Sequence, residues 1–352
     1  MTAKDKLRLA VVGVGAFGRN HARVCRDLAR EGEIEFAGVC DRDPLRAESI
    51  ATEFETQKFA DLDALLARGK PHAAIVAVPT VSHLEVARTL MQAGVDVLIE
   101  KPLVTSLAEA DELVSLAKST RRTVQVGQLE RFNPAVRATV PLLTQPMFFE
   151  IHRLSIFTPR SLDVDVVLDL MIHDLDIVLS FARSPVKEVR AVGLPILSDK
   201  VDIANVRLEF ESGCVANFTA SRVSTERVRK LRFFQPHQYL SLDYTRQDVI
   251  VFNVDAGSAA AGFSPTAFME EAGEHPSSPN IKIYKPEIVR EEPLRAELLS
   301  FISAVRERKP PLVTLEDGRR ALAVALEILS AIGSHTRRFD LAVSGRGGGA
   351  SN

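Results

Sequence analysis

LRLAVVGVGAFG, residues 7–18, decides the fold. A run of strand-forming residues leads straight into Gly13, Gly15 and Gly18, spaced as G-x-G-x-x-G. A bare match to that spacing is weak, so the flanks carry the reading. Phe17 to Arg30 has the pattern of an amphipathic helix, and IEFAGVCD follows as a second strand ending in Asp41. In such a βαβ unit the glycines allow a tight turn and let a pyrophosphate approach the helix N-terminus. A glycine turn that binds nothing is the alternative. The contacts expected for a dinucleotide here are Gly13, Gly15, Ala16, Phe17 and Gly18, with Asp41 accepting hydrogen bonds from the adenosine ribose. The Asp41 charge repels a 2′-phosphate, so NAD is expected before NADP. Arg42 pulls the other way if it holds that phosphate; it also suits stacking on adenine, or it is a solvated loop residue.

Moving outward, apolar β-branched runs alternate with amphipathic stretches. Helical patterns at Pro44–Glu55, Val81–Gln92 and Leu107–Ser119 separate the strands AAIVAV, DVLIE and TVQVG. Near-continuous apolar strands with helices between them predict a parallel sheet covered on both faces. Around Asn133 the character changes. After a helix at Pro134–Leu143 come alternating strands such as VDIANVRLEF, CVANFTASRV, LRFFQP, YLSLDY and DVIVFNV, which suit an antiparallel sheet. Residues 255–280 are rich in Gly, Ser, Pro and Ala and read as a long, functional surface loop. Two helices follow, at Pro293–Arg308 and Leu315–Ser334. The fold class expected is α/β: a doubly wound Rossmann domain over 1–127, then an α+β domain with a large, mainly antiparallel open sheet over 128–342. The last helices are free to pack back on the first domain, and 343–352 form a disordered tail.

Composition excludes several classes. Across 352 residues the net charge is −2, which gives no electrostatic case for nucleic acid or an anionic membrane. Three cysteines, Cys25, Cys40 and Cys214, do not make a disulfide framework and point to a reducing, cytoplasmic setting. No apolar run reaches membrane-spanning length.

VVLDLMIHDLDIVLSFA, residues 166–182, is apolar enough to be buried, yet Asp169, His173 and Asp176 interrupt it. At i, i+4 and i+7 of a regular helix they form one polar line. Burying such groups costs several kcal/mol, on the order of 2–7 each, unless they are paired or used. Acid–base work and a metal site both suit two carboxylates and an imidazole. No second His or Cys cluster supplies further ligands, so no metal is expected.

Glu100-Lys101-Pro102 ends the fourth long strand, at the carboxyl edge where open α/β sheets bind ligands. With GVGAFG, the Pro79, Thr80 and His83 of VPTVSH, GQLERFNP at 127–134 and the D-x-x-x-H of Asp169 and His173, the chain resembles the Gfo/Idh/MocA oxidoreductases over nearly its whole length. The closing segment from Glu292 is similar to that family's C-terminal helices. The resemblance implies NAD-dependent oxidation of a secondary hydroxyl on a sugar or cyclitol. It adds Pro79, Thr80, His83, Glu100, Lys101 and Gln128 to the cofactor contacts. In that chemistry His173 is the base, Lys101 steadies the reacting oxygen and Asp169 binds a substrate hydroxyl. Asp176 either orients His173 or bonds to backbone. A surface role for Lys101 and a core role for His173 are the plain alternatives.

Substrate residues are harder to read. Lys101, Asp169 and His173 are joined by Arg131, Asn133 and His152; Arg131 either meets a phosphate or carboxylate or forms a salt bridge knitting the two domains. The basic run Arg222, Arg227, Arg229, Lys230, Arg232 is either a solvated edge or an anion clamp. GQLERFNPAV and LDLMIHDLDIVL are most similar to the nucleotide-sugar branch. That branch includes UDP-N-acetylglucosamine 3-dehydrogenases, which make the 3-keto sugar for amination in lipid A or surface-polysaccharide synthesis. A free-sugar or inositol dehydrogenase, and a non-catalytic NAD-binding redox sensor, remain open. The open face of the second sheet is expected to form a homodimer or homotetramer.

Overall fold

The computed structural model describes residues 6–158, 164–254 and 281–338. The Gly/Ser/Pro-rich loop 255–280 and the tail 343–352 lie outside the described residues. Contacts divide the chain into two compact units. The first takes the chain up to Phe132, then Leu175–Ile177 and Glu291–Glu327; the second takes Asn133–Asp174, Val178–Arg290 and the chain from Ile328.

The first unit is built on six parallel strands, β1 (Arg8–Val12), β2 (Glu35–Cys40), β3 (Lys58–Phe59), β4 (Ala73–Val76), β5 (Asp96–Glu100) and β6 (Val124–Gly127). Their order across the sheet is β3-β2-β1-β4-β5-β6. The order reverses between β1 and β4, so the loops leaving those two strands diverge to opposite faces and open a crevice at the carboxyl edge. Strand residues are buried on both faces, as expected where helices cover both sides.

Helix α1 (Ala16–Arg30) leaves β1, α2 (Pro44–Glu53) leaves β2, a single turn α3 (Leu62–Ala64) follows β3, α4 (His83–Gln92) leaves β4 and α5 (Leu107–Thr120) leaves β5. One face of the sheet buries Leu9, Val11, Ile75 and Leu98 against Val24 and Leu28 of α1 and against Leu298, Phe301 and Ile302 of a late helix, α8 (Pro293–Glu307). The sheet's β6 edge is capped by the backbone of Val313, whose carbonyl accepts from Val126 N at 3.1 Å. An otherwise open edge is thereby closed.

The second unit holds α6 (Pro134–Thr139), α7 (Ile172–Ala182, of which 175–177 group with the first unit) and an eight-stranded sheet. Its strands are β7 (Phe148–Ile156), β8 (Val186–Leu194), β9 (Ile203–Phe210), β10 (Val215–Ser224), β11 (Val228–Gln235), β12 (Gln238–Asp243), β13 (Asp248–Val254) and β14 (Ile281–Tyr284). The order is β14-β13-β12-β11-β7-β10-β9-β8, antiparallel except for the β7–β10 pair. Alternate residues such as Phe149, Ile151, Phe218, Leu231 and Phe233 are buried on one face. Phe181 of α7 meets Phe233 edge-on there, with ring centroids 6.0 Å apart. The opposite face carries Glu150, His152, Asn217, Thr219 and Arg232 at the alternate positions. The last helix, α9 (Leu315–Arg338), begins in the first unit and ends in the second.

No helix of the described residues is long and apolar enough to cross a membrane. The three cysteines are free and buried, and burial pushes the Cys40 and Cys214 thiols up to about 11.

Candidate active site

The glycine loop has three glycines with three different physical reasons. Gly13 has φ +85°, and a Cβ there would sit 2.6 Å from Val78 N and 2.7 Å from Ala77 O, at the backbone leaving β4. At Gly18 a Cβ would lie 1.8 Å from Gly13 O, so its absence lets α1 pack onto the turn. Gly15 is unlike both: its φ is −63°, which any residue adopts, and a Cβ there would meet nothing within 4 Å. Folding does not demand glycine at 15, and its Cα faces space that a ligand can fill. Gly15 is also the N-cap of α1, with no side-chain cap and no acidic residue in the first turn. The free N–H groups and the positive end of the dipole face that open space, the arrangement that receives a pyrophosphate.

A cavity of about 900 Å³ opens from this loop, lined by Gly13, Gly15, Phe17, Asp41, Arg42 and Pro79 among others. Phe17 and Val81 stand at it with large apolar exposed side chains. Asp41 ends β2 with both carboxylate oxygens already accepting backbone N–H groups, Oδ2 from Val14 at 2.8 Å and Oδ1 from Asp43 at 2.9 Å. Each oxygen retains a second lone pair, so Asp41 both ties the glycine loop to β2 and remains able to receive ribose hydroxyls. Arg42 is 82% exposed on its side chain, 3.9 Å from Glu85, and belongs to the cavity wall. The residues present fit a dinucleotide: a phosphate cradle without a Cβ, an acid at the ribose position and a wall of ordinary size for a cofactor.

Pro79 and Thr80 follow β4, but His83 differs from its expected role as a cofactor contact. It is buried, with Nδ1 3.0 Å from Leu103 O and Nε2 2.9 Å from Val78 O. Both ring nitrogens are occupied by backbone, and burial pushes its pKa down. A neutral imidazole donates to only one of those carbonyls, so the tautomer decides whether His83 ties α4 to the segment after β4 or to the segment after Lys101. Gln128, after β6, is buried.

Glu100 and Lys101 stand at the carboxyl end of β5. Gly127 on the neighbouring strand makes room for Glu100, since a Cβ there would lie 3.2 Å from the Glu100 carboxylate. Glu100 Oε2 accepts from Lys101 N at 3.2 Å, and Oε1 lies 2.6 Å from His21 Nε2. Burial alone would raise the Glu100 carboxyl; the His21 hydrogen bond and charge, with Lys101 beside it, hold it below the usual carboxylate range. The Lys101–Pro102 peptide is cis. Ser106 then starts α5 through a capping box with Glu109, whose carboxylate also accepts from Thr105 N at 2.9 Å. The chain on either side of Lys101 is thereby fixed.

In the second unit, Asp169 and His173 occur where the helix is irregular. Residues Val167–Met171 form a π-helical turn before α7, a feature often found at functional sites. Asp169 and His173 are half-buried. The expectation of a single polar line through Asp176 is not met. Asp176 is buried, and its oxygens take Arg131 Nε at 2.6 Å and Nη2 at 3.2 Å. Burial, with the nearby Asp317, pushes the Asp176 carboxyl up against the pull of Arg131. The extra residue of a π turn shifts the phase of what precedes it, which a regular 3.6-residue pattern does not anticipate.

Three expected substrate contacts are placed elsewhere. Arg131 spends its fork on Asp176, a salt bridge within the first unit rather than one knitting two domains. Asn133 is buried; its Oδ1 caps α6 at Ala135 N, 3.0 Å away, and its Nδ2 donates to Tyr244 O at 3.1 Å. His152 lies on the sheet face away from α7, because strand alternation gives the inner face to Ile151 and Arg153. Arg153 instead makes a buried ion pair with Asp174 of α7, Nε to Oδ2 2.6 Å and Nη2 to Oδ1 2.9 Å, and stacks over Tyr244. Asp174 went unremarked in the sequence, although the parity that places Phe149 and Ile151 inward also places Arg153 there. The basic run is divided rather than clustered. Arg222 is buried and donates to Val164 O, while Arg232 lies 3.8 Å from Glu150.

Residues 7–128 match the oxidoreductase family with an NAD-binding Rossmann fold, and residues 144–235 match the GFO/IDH/MocA C-terminal domain. A UDP-N-acetylglucosamine 3-dehydrogenase from Acidithiobacillus ferrooxidans is 34% identical over 333 residues, covering 94% of this chain and 99% of the relative. Its solved structure superposes with a TM-score of 0.82, at 32% identity, covering 94% of this chain and 98% of that one. An inositol 2-dehydrogenase from Acidothermus cellulolyticus is 29% identical over 200 residues, covering 54% of this chain and 58% of the relative. The glycine loop, the acid after β2 and the lysine after β5 thus sit in a chain that belongs to the Gfo/Idh/MocA family of NAD-binding oxidoreductases, acting on CH–OH groups.

Proposed function

We propose that this enzyme oxidises the 3-hydroxyl of UDP-N-acetylglucosamine to the 3-keto sugar, in the cytoplasm, for later amination. The observation that carries the reading is Lys101, set at the carboxyl end of β5 in the NAD-binding unit of a chain that matches a UDP-N-acetylglucosamine 3-dehydrogenase over 94% of its length. NAD, when bound, supplies the hydride acceptor. The chain's own residues handle the oxygen and its proton. The Lys101 ammonium donates to the reacting oxygen and steadies the charge that grows there as hydride leaves carbon. His173 Nε2 or Nδ1 takes the hydroxyl proton, and the half-buried setting suits a base that must meet substrate. Asp169, one turn earlier, accepts from a neighbouring hydroxyl. A homo-oligomer through the open sheet face completes the proposal.

The test is the appearance of reduced nicotinamide absorbance with NAD and a panel of UDP-N-acetylglucosamine, glucose and inositol. Turnover of the nucleotide sugar alone is expected, together with its loss in Lys101→Ala and His173→Ala at unchanged NAD affinity and unchanged activity with chelator. Turnover of the free polyols alone rejects the substrate. Tight NAD binding without turnover of any of them identifies a sensor.

A further inference from the structure

A buried polar cluster stands behind Lys101 and takes no part in the chemistry just described. It joins His21 of α1, Glu100 of β5 and Glu297 of α8, one ligand-type atom of each lying within 4.8 Å of the others. Glu297 is completely buried, and neither of its carboxylate oxygens has a hydrogen-bond partner. His21 is equally buried, with Nε2 on Glu100 and Nδ1 unpartnered. The sheet below contributes the uncharged Gln125, whose Nε2 donates to the backbone carbonyl of Glu297 at 3.3 Å. Among the described residues the charged groups acting on the two carboxyls are His21 and Lys101, both on the Glu100 side.

Two carboxylates so close, with one in a dry site, do not both ionise. Burial pushes the Glu297 carboxyl well above the usual range, and the charge of Glu100 pushes it further, while Glu100 is held low. The proton therefore resides on Glu297, with the Glu100 carboxylate no more than 4.8 Å away. Glu100 is also the residue whose other oxygen accepts from the Lys101 backbone N–H.

We propose that Glu297 is a positioning residue for Lys101: its carboxyl group keeps a proton beside the Glu100 carboxylate, and the pair, gripped by His21, fixes the peptide and the field beside the Lys101 ammonium. The proposal rests on the reading of Lys101 as the group that steadies the reacting oxygen. It predicts that a neutral donor of the same shape replaces Glu297 and that an apolar side chain does not. Glu297→Gln keeps a donor toward Glu100. Glu297→Leu keeps the volume and leaves Glu100 held by His21 alone.

Four proteins are compared: wild type, Glu297→Gln, Glu297→Leu and Lys101→Ala. Turnover, NAD affinity and melting temperature from pH 6 to 9 are measured for each, and the chemical shift of isotope-labelled, dimethylated Lys101 for the three that retain it, the signal being assigned by its loss in Lys101→Ala. Expected are near-wild-type kcat in Glu297→Gln and a fall of about tenfold in Glu297→Leu, with NAD affinity within about threefold in both. The Lys101 signal shifts in Glu297→Leu and stays in place in Glu297→Gln. The melting temperature of wild type falls relative to Glu297→Gln as pH rises, because the raised carboxyl must keep its proton in the fold and loses it in the unfolded chain. Wild-type activity and an unmoved Lys101 signal in Glu297→Leu overturn the proposal while leaving the catalytic reading intact. Full activity in Lys101→Ala overturns that reading and the proposal with it. Stoichiometric zinc or manganese in the purified enzyme, lost in Glu297→Gln, overturns the protonated Glu297 in favour of a metal site.

Discussion

Gly15 and Gly18 lie three residues apart in one motif, yet replacing each with alanine should break different things. At Gly18 the new Cβ arrives 1.8 Å from Gly13 O and 2.8 Å from Gly13 C, both backbone atoms that cannot swing aside. Helix α1 must lift from the turn, and overpacking of this kind costs about 1–3 kcal/mol. At Gly15 the Cβ meets no protein atom and φ is already −63°, so folding carries only two small terms of opposite sign. Lower unfolded-state entropy stabilises by roughly 0.4–1 kcal/mol, and a poorer N-cap costs about the same. The melting temperature of Gly15→Ala should therefore stay within a degree or two of wild type. The methyl occupies the space left for the pyrophosphate, so NAD pays the clash that the protein does not. A loss of about 2 kcal/mol corresponds to roughly a 30-fold weaker Kd. Calorimetric titration with NAD and thermal melting with and without NAD read the two effects separately. A Gly15→Ala protein that melts as early as Gly18→Ala, or that binds NAD as wild type does, refutes the assignment of that open space to the phosphates.

Two further outcomes follow from named contacts. Asp41→Ser should move cofactor preference toward NADP, measured as the ratio of kcat/KM for the two cofactors; it should also lower stability by about 1 kcal/mol, because Val14 N and Asp43 N each lose a charged acceptor. Asp202 accepts from the backbone N–H groups of Ile196, Leu197 and Ser198, at 2.7, 2.6 and 2.9 Å. Burial alone would raise its carboxyl, but these bonds hold it low, so its stabilisation is full above the ordinary aspartate range and is lost as pH falls through the lowered value. Asp202→Ala should cost about 3 kcal/mol at neutral pH, with the gap to wild type closing in acid denaturation series.

The first unit was legible because its signals are local. Strand, glycine turn, helix and acid all lie within about thirty-five residues, and each glycine or apolar run reports on its immediate neighbours. The second unit was legible in class but not in detail. VKEVRAVGL, now β8, carries charges and exposed positions along an edge strand, so its alternation is weak. The parallel β7–β10 pair depends on residues more than sixty apart, such as Phe149 and Ala216, and no turn signal announces it. His152 was assigned to the active face although the alternation of Phe149, Ile151 and Arg153 already gave the parity against it. Glu297 could not be read at all, since its glutamate stands in an ordinary amphipathic helix and acquires meaning only where α8 meets Glu100.

The helix from Val166 to Ala182 sharpens what a buried polar residue signifies. Four such groups interrupt it, and physical cost alone does not separate structure from chemistry. The fold separates them by how the cost is met. Asp174 and Asp176, the most deeply buried, are each met by the fork of an arginine, Arg153 and Arg131. Removing one partner of such a pair strands the other and costs about 3–5 kcal/mol, so these two residues hold the helix in place. Asp169, in the π turn, and His173, in the first turn of α7, remain half-buried. A group that must take a proton from a substrate cannot be sealed by a guanidinium, and must stay within reach of the cleft that admits that substrate. The polar residues most completely paired by the protein thus anchor the helix, and the two proposed to do chemistry are the ones left half-buried.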